Sequence, residues 1–183
     1  MEEITLRKVT AADKLKVLDY KKEFLMNKDS LDGTAGLGAA DSFEDWFSAM
    51  CDNSSEDTLR PGRVPASTYL AVRETDGALI GMIDIRHRLN DYLLKCGGHI
   101  GYSVRKSERR KGYAKEMLGK ALVICRELSI ERVLVTCDSR NEASERTILA
   151  NGGVLENEVP DDGRMTRRYW ITVLFERYAE REQ

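Results

Sequence analysis

The chain has 183 residues, of which 42% are hydrophobic and 33% charged, enough for one ordinary core under a well-solvated surface and unlike a disordered composition. A formal net charge of −2 carries no footprint of bulk nucleic-acid binding, and no apolar run nears the roughly 20 residues needed to span a bilayer. Four cysteines without a Cys-x-x-Cys pair and two histidines supply no evident four-ligand zinc set, so no metal is expected. The scattered thiols, with an acidic start that lacks a signal-peptide pattern, point to the cytoplasm.

Ile4 to Thr10 alternates apolar and polar residues and predicts a first strand. Thr10 then caps a helix from about Ala12 to Asn27, with Leu15, Leu18 and Leu25 assigned to its apolar face. Residues 28–40 hold three glycines and read as a loop. Asp41-Ser42 opens a second helix, with Phe43, Trp46, Phe47 and Met50 at helical spacing. After a polar, proline-containing loop, 52–66, the segments Ser67–Glu74 and Leu79 to about Leu89 flank Asp76-Gly77 as a hairpin, and His99–Val104 forms a further strand.

Gly112 to Ser129 gives the clearest helix, with Ala114, Met117, Leu118, Ala121, Leu122, Cys125 and Leu128 in one stripe. Arg132–Cys137 is a strand, Asn141–Asn151 a shorter helix ending at Gly152-Gly153, and 153–159 with 165–175 a final hairpin. No repeat or linker divides the chain, so residues 1–183 are expected to form one α/β domain around a mixed sheet.

The segment that points to chemistry runs from Ile100 to Ala114. A strand, Gly101-Tyr102-Ser103-Val104, leads into the basic turn Arg109-Arg110-Lys111-Gly112, which opens the best helix. A helix N-terminus presents unpaired N–H groups and a partial positive charge, and a glycine there lets a ligand approach the backbone. The pattern suits a pyrophosphate. It lacks the Gly-Lys-Ser/Thr of a Walker loop and the three-glycine spacing of a dinucleotide fingerprint.

With Gly-Tyr-Ser-Val before it and an amphipathic helix after it, Arg109-x-x-Gly112-x-Ala114 resembles the coenzyme-binding signature of the GNAT superfamily of N-acetyltransferases. The order of strands and helices is similar along the whole chain, and the pattern looks like that of a bacterial subgroup of predicted acetyltransferases. The resemblance implies a GNAT fold with six to seven strands and about four helices. It also implies acetyl transfer from acetyl-CoA, without metal, to a primary amine of a small molecule or peptide. Neither nucleic acid nor membrane is an implied partner, and the protein would be a monomer or homodimer.

By the same resemblance, Tyr102, Ser103 and Val104 would face the pantetheine arm, with the Val104 N–H as oxyanion donor. Amides from Arg109 through Arg110, Lys111, Gly112, Tyr113 and Ala114 would hold the pyrophosphate, and Asn141 with Ser144 would help hold the coenzyme. The family's acid tyrosine falls at Ile148, leaving the acid unassigned, with Tyr169 a nearby substitute. Where relatives carry a glutamate base this chain has His99, which reads as a base, as a substrate contact or as a histidine satisfied in the sheet. Asp84 and His87 on the preceding strand are candidates for the acceptor pocket. Arg164, Arg167 and Arg168 read as an exposed strand face. A GNAT-fold acyl-CoA sensor with little turnover is the alternative reading.

Overall fold

A computed structural model of the chain describes residues 2–173. Seven strands form one sheet in the order β1-β2-β3-β4-β5-β7-β6. They are β1 (Ile4–Lys8), β2 (Ala66–Arg73), β3 (Leu79–Arg86), β4 (Ile100–Val104), β5 (Arg132–Asp138), β6 (Val154–Asp161) and β7 (Arg164–Thr172). Four α-helices are seen among the described residues: α1 (Lys14–Asn27), α2 (Phe43–Asp52), α3 (Tyr113–Glu127) and α4 (Glu142–Leu149).

β3 sorts the core into two layers by alternation from Gly81 onward and by a bulge at Ile80 that switches the sides before it. Leu79 and Met82 pack with Val17, Tyr20 and Phe24 of α1 and with Phe43, Trp46 and Met50 of α2. Ile80, Ile83 and Ile85 pack with Met117, Leu118, Ala121 and Cys125 of α3 and with Ile148 of α4. The apolar face of α1 is therefore not the one expected. Leu15 is 80% and Leu25 56% exposed, whereas Val17, Tyr20 and Phe24 are buried. Both triples satisfy helical spacing, and the one bearing two aromatic rings, with more surface to bury, takes the core.

Every neighbouring pair in the sheet is antiparallel except β4 and β5, which run parallel. β4 pairs with β3 from Ile100 to Val104, but it meets β5 at the single position Ile100↔Val135. Beyond that point the two strands diverge and leave a wedge at the centre of the sheet.

The sequence marks no element between β3 and β4. β3 ends at Arg86 instead of running on to Leu89, and Leu93–Gly97 forms a π-helical turn. Asn90 Oδ1 accepts the Leu93 N–H at 2.9 Å, which starts the turn. Gly98, at φ 67°, ends it, and a Cβ there would stand 2.7 Å from the Leu134 carbonyl oxygen.

Candidate active site

The wedge opens into a cleft of about 980 Å³, the upper end of the range for small-ligand sites. Three regions line it. At its mouth stand Arg110, Gly112, Tyr113, Ala114 and Lys115. Along its length lie Tyr102, Ser103, Val104, Asn141 and Ser144. At the end where β4 and β5 still pair stand Arg86, Cys96, Gly97 and Thr136.

The mouth is built from backbone. Gly112, at φ 89°, is the N-cap of α3, and Arg110 is also left-handed, at φ 64°. These reversals aim successive N–H groups to one side. Among the described residues, the N–H groups of Arg110, Lys111 and Gly112 have no protein partner. Tyr113, Ala114 and Lys115 begin the helix and have none within it. The side chains do other work. Lys111 pairs with Glu108 at 2.8 Å, and Glu108 also receives Arg73 at 3.1 Å. Tyr113 is buried, its hydroxyl 3.3 Å from Arg73.

Arg109 departs from its expected role. Its N–H donates to the Lys106 carbonyl at 3.3 Å and so is already committed. Its Nε donates to the Val104 carbonyl at 2.9 Å, and its guanidinium pairs with Asp29 at 2.9 Å. Arg109 ties the end of β4 to the loop after α1.

Along the wedge, one edge of β4 is free of a strand partner after Ile100. The Arg105 N–H bonds the Ile80 carbonyl on β3 at 3.0 Å, so alternation turns the peptide groups of Val104 and Tyr102 toward the open edge. Ser103 faces the other way: its carbonyl accepts from the Tyr20 hydroxyl at 2.9 Å, and its Oγ donates to the Asp32 carbonyl at 2.6 Å. It anchors β4 to α1 and the following loop. Asn141 caps α4 by accepting the Ser144 N–H at 3.1 Å, which leaves its amide NH₂ available to the cleft.

α4 carries no tyrosine, and Ile148, at the expected acid position, is fully buried in the core. A hydroxyl nonetheless reaches that helix from the facing strand. Tyr102 Oη lies 2.8 Å from Ser144 Oγ, and Ser144 stands one helical turn before Ile148 on the same face. Burial pushes the Tyr102 phenol up to about 12, so it stays protonated. Tyr169, the expected substitute, is buried and donates to Glu145 at 2.7 Å, outside the cleft lining.

None of the residues expected in acid–base or acceptor roles, His99, Asp84 and His87, lines the cleft. His99 is buried, and its Nδ1 accepts the Leu134 N–H at 2.9 Å, so the neutral ring carries its proton on Nε2. Burial, with the nearby Arg86 charge, lowers its pKa to about 4. This histidine is a tie between strands, with no free lone pair for a substrate proton. Asp84, also buried, accepts from Thr68 at 2.8 Å and pairs with Arg86 Nε at 3.1 Å. His87 Nε2 sits 2.9 Å from Ser67 Oγ.

Arg86, two residues beyond Asp84 and thus on the same face, lines the cleft and carries no sequence motif of its own. The strand period could have found it. Arg168, expected on an exposed face, is buried between Glu156 and Asn157. Among the described residues no group of three or more His, Cys, Asp or Glu could hold a metal, and no helix is long and apolar enough to cross a membrane.

A split mixed sheet with an amide-lined helix N-terminus at the mouth of the split defines an acyl-CoA-dependent acetyltransferase class. The comparisons agree. The model of the acetyltransferase (GNAT) domain family matches residues 3–154, and the chain belongs to this family. No curated protein gives a significant match.

Among solved structures, the ribosomal-protein-S5-alanine acetyltransferase from Vibrio fischeri is similar, at 17% identity and a TM-score of 0.68, covering 94% of this chain and 94% of that one. The spermidine/spermine N-acetyltransferase SpeG from Vibrio cholerae matches at 14% identity and a TM-score of 0.65, covering 92% and 93%. A Salmonella typhimurium protein solved with its cofactor acetyl-CoA matches at 14% and 0.63, covering 96% of each chain. At these identities the likeness is one of fold.

Proposed function

We propose that the protein moves the acetyl group of acetyl-CoA directly to a primary amine of a small molecule or peptide. The observation that carries this reading is the run of unpartnered amides from Arg110 to Lys115, set at the mouth of the wedge along the open edge of β4. Amides and a helix dipole hold a diphosphate without a metal. From there the free edge of β4 at Tyr102 and Val104 offers peptide groups to a pantetheine arm, and Asn141 offers its amide NH₂.

In the transfer, the neutral amine attacks the thioester carbonyl carbon. The developing oxyanion accepts from the Val104 N–H, the carbon–sulfur bond breaks, and the thiolate takes a proton. The Tyr102 hydroxyl is the reading's proton donor, replenished through Ser144 Oγ. The substrate ammonium gives one proton to cleft water before it attacks, since His99 is committed to Leu134, and the nitrogen gives a second to water as the amide forms. The named acceptors of similar proteins, a ribosomal protein and spermidine or spermine, support an amine acceptor in general.

The test is release of coenzyme A thiol from acetyl-CoA across a panel of amines, with mass detection of the acetylated product. Turnover with an amine supports the proposal. Stabilisation by coenzyme A without turnover on any amine supports the second reading, an acyl-CoA sensor, which the buried Ile148 in place of a tyrosine acid keeps open.

A further inference from the structure

The closed end of the cleft holds a cation for which the transfer chemistry has no use. Arg86 reaches across β4 to stand over Gly101. A Cβ on Gly101 would lie 3.2 Å from Arg86 Nη1 and 3.3 Å from Nη2, so the missing side chain makes room for the guanidinium. Two contacts fix its orientation. Nε pairs with Asp84 at 3.1 Å, and Nη1 donates to the Gly97 carbonyl at 3.3 Å. Among the described residues Nη2 has no partner.

A second donor converges on the same spot. The Gly33 nitrogen, in the loop after α1, also lies 3.2 Å from that Cβ position, and its N–H has no partner among the described residues. The loop is held there tightly, because a Cβ on Gly33 would come 2.1 Å from the Gly101 carbonyl oxygen. The neighbouring Asp84 is buried and spent on Thr68 and Arg86, so it offers the cleft no negative face.

We infer that Arg86 and the Gly33 N–H receive a carboxylate carried by the acceptor, so that the acceptor is an amino acid and not a polyamine. A guanidinium edge held by one carboxylate matches a second in geometry and charge. A substrate ammonium at this spot would meet like charge. The position is apt for an acceptor, because Gly101 adjoins Ile100, where β4 and β5 still touch, at the opposite end of the wedge from the amides of α3. The inference rests on the acetyltransferase reading and narrows its substrate.

The test uses the whole protein. The twenty protein amino acids, each beside its carboxamide, and spermidine are measured for acetyl transfer by product mass. They are also measured for added thermal shift in the presence of coenzyme A. At least one free amino acid is expected to exceed its carboxamide in kcat/KM by about tenfold to a hundredfold, the worth of a hydrogen bond to a charged group. Arg86→Gln should erase that ratio and leave the shift from coenzyme A alone intact. Because R86Q strands the buried Asp84, the D84N/R86Q double variant is measured beside it and should erase the ratio too.

If no compound is acetylated but an amino acid still adds a shift that its carboxamide does not, and R86Q abolishes it, the carboxylate site stands and the transfer reading falls. If spermidine or the carboxamides are acetylated as well as the free acids, or R86Q and the double variant lower both members of each pair alike, the site is overturned while transfer stands. If no amino acid is favoured over its carboxamide by either measure, the inference is wrong.

Discussion

The two ends of the cleft are built from different materials. At the mouth, six consecutive residues, 110–115, present backbone amides, while Lys111 and Tyr113 turn their side chains to Glu108 and Arg73. At the closed end the groups come from segments far apart in the chain: Arg86 from β3, Gly97 and Cys96 from the π-turn, Thr136 from β5. Thr136 Oγ1 donates to the Cys96 carbonyl at 2.6 Å and binds two of these segments together. A backbone site is fixed by conformation and is blind to most side chains it carries. A side-chain site is fixed by packing and fails when a single charge is removed.

The sharpest way to break this contrast is at Gly112. Its φ of 89° belongs to the region that L-residues avoid, and on the proposed reading its amide would face the pyrophosphate. Gly112→Asp should remove the whole thermal stabilisation by coenzyme A, about 2.7 kcal/mol at a hundred times the dissociation constant. Arg110→Ala, which keeps the amide, should keep most of it. Calorimetric melting of both variants checks this, and an equal loss in the two would mean that side-chain charge holds the ligand.

Tyr102→Phe should come next in size. Loss of the donor hydroxyl is expected to lower kcat about a hundredfold, the lower end of general acid–base contributions, with the coenzyme A shift unchanged. Tyr169→Phe, outside the cleft, serves as the control and should leave kcat near its starting value. A tyrosine at 102 that can be removed without kinetic effect would shift protonation of the thiolate to water.

The smallest effect concerns stability. His99 has a folded pKa of about 4, below its ordinary 6.5. Between these values the unfolded chain binds a proton that the folded chain refuses. Stability therefore rises with pH across that window, is complete above about pH 6.5 and falls away toward pH 4, by up to about 3 kcal/mol. His87 is shifted in the same direction by burial and adds to the slope. His99→Asn, which offers an oxygen to the Leu134 N–H and does not titrate, should flatten the dependence of melting temperature on pH. It should leave the pH profile of kcat/KM in place. If that profile loses its ascending limb instead, the histidine is a base after all.

The same contrast explains what could be read from the chain. The α3 stripe, the Asp76-Gly77 hairpin and the glycine at the helix start are local patterns, and each is found at its predicted place within a residue or two. The closed end depends on which strands become neighbours. Asp84 and His87 are titratable types on and just after β3, but Asp84 is held by Thr68 and His87 by Ser67, while Arg86, on the face of Asp84, reaches over Gly101 to the cleft. His99 was legible as a residue on the right strand. Its role was not, because a backbone N–H 35 positions later takes its lone pair. Nor did anything local mark Tyr102 as a partner of Ser144, 42 residues on.

The lone register position shared by β4 and β5 divides the sheet into two ladders that meet at Ile100 and Val135 over one shared core. One ladder holds β1 to β4 and the other β5 to β7. Across the seam run a few ties that are not part of a ladder, among them Leu134 to His99, Thr136 to Cys96 and Tyr102 to Ser144. Cooperative opening in a sheet depends on continuous ladders, so amides along the broken ladder between β4 and β5 are expected to exchange ahead of those held in the unbroken ladders on either side. A molecule lodged along the free edge of β4 would splint the seam and slow that exchange, a change that hydrogen exchange with and without coenzyme A would read.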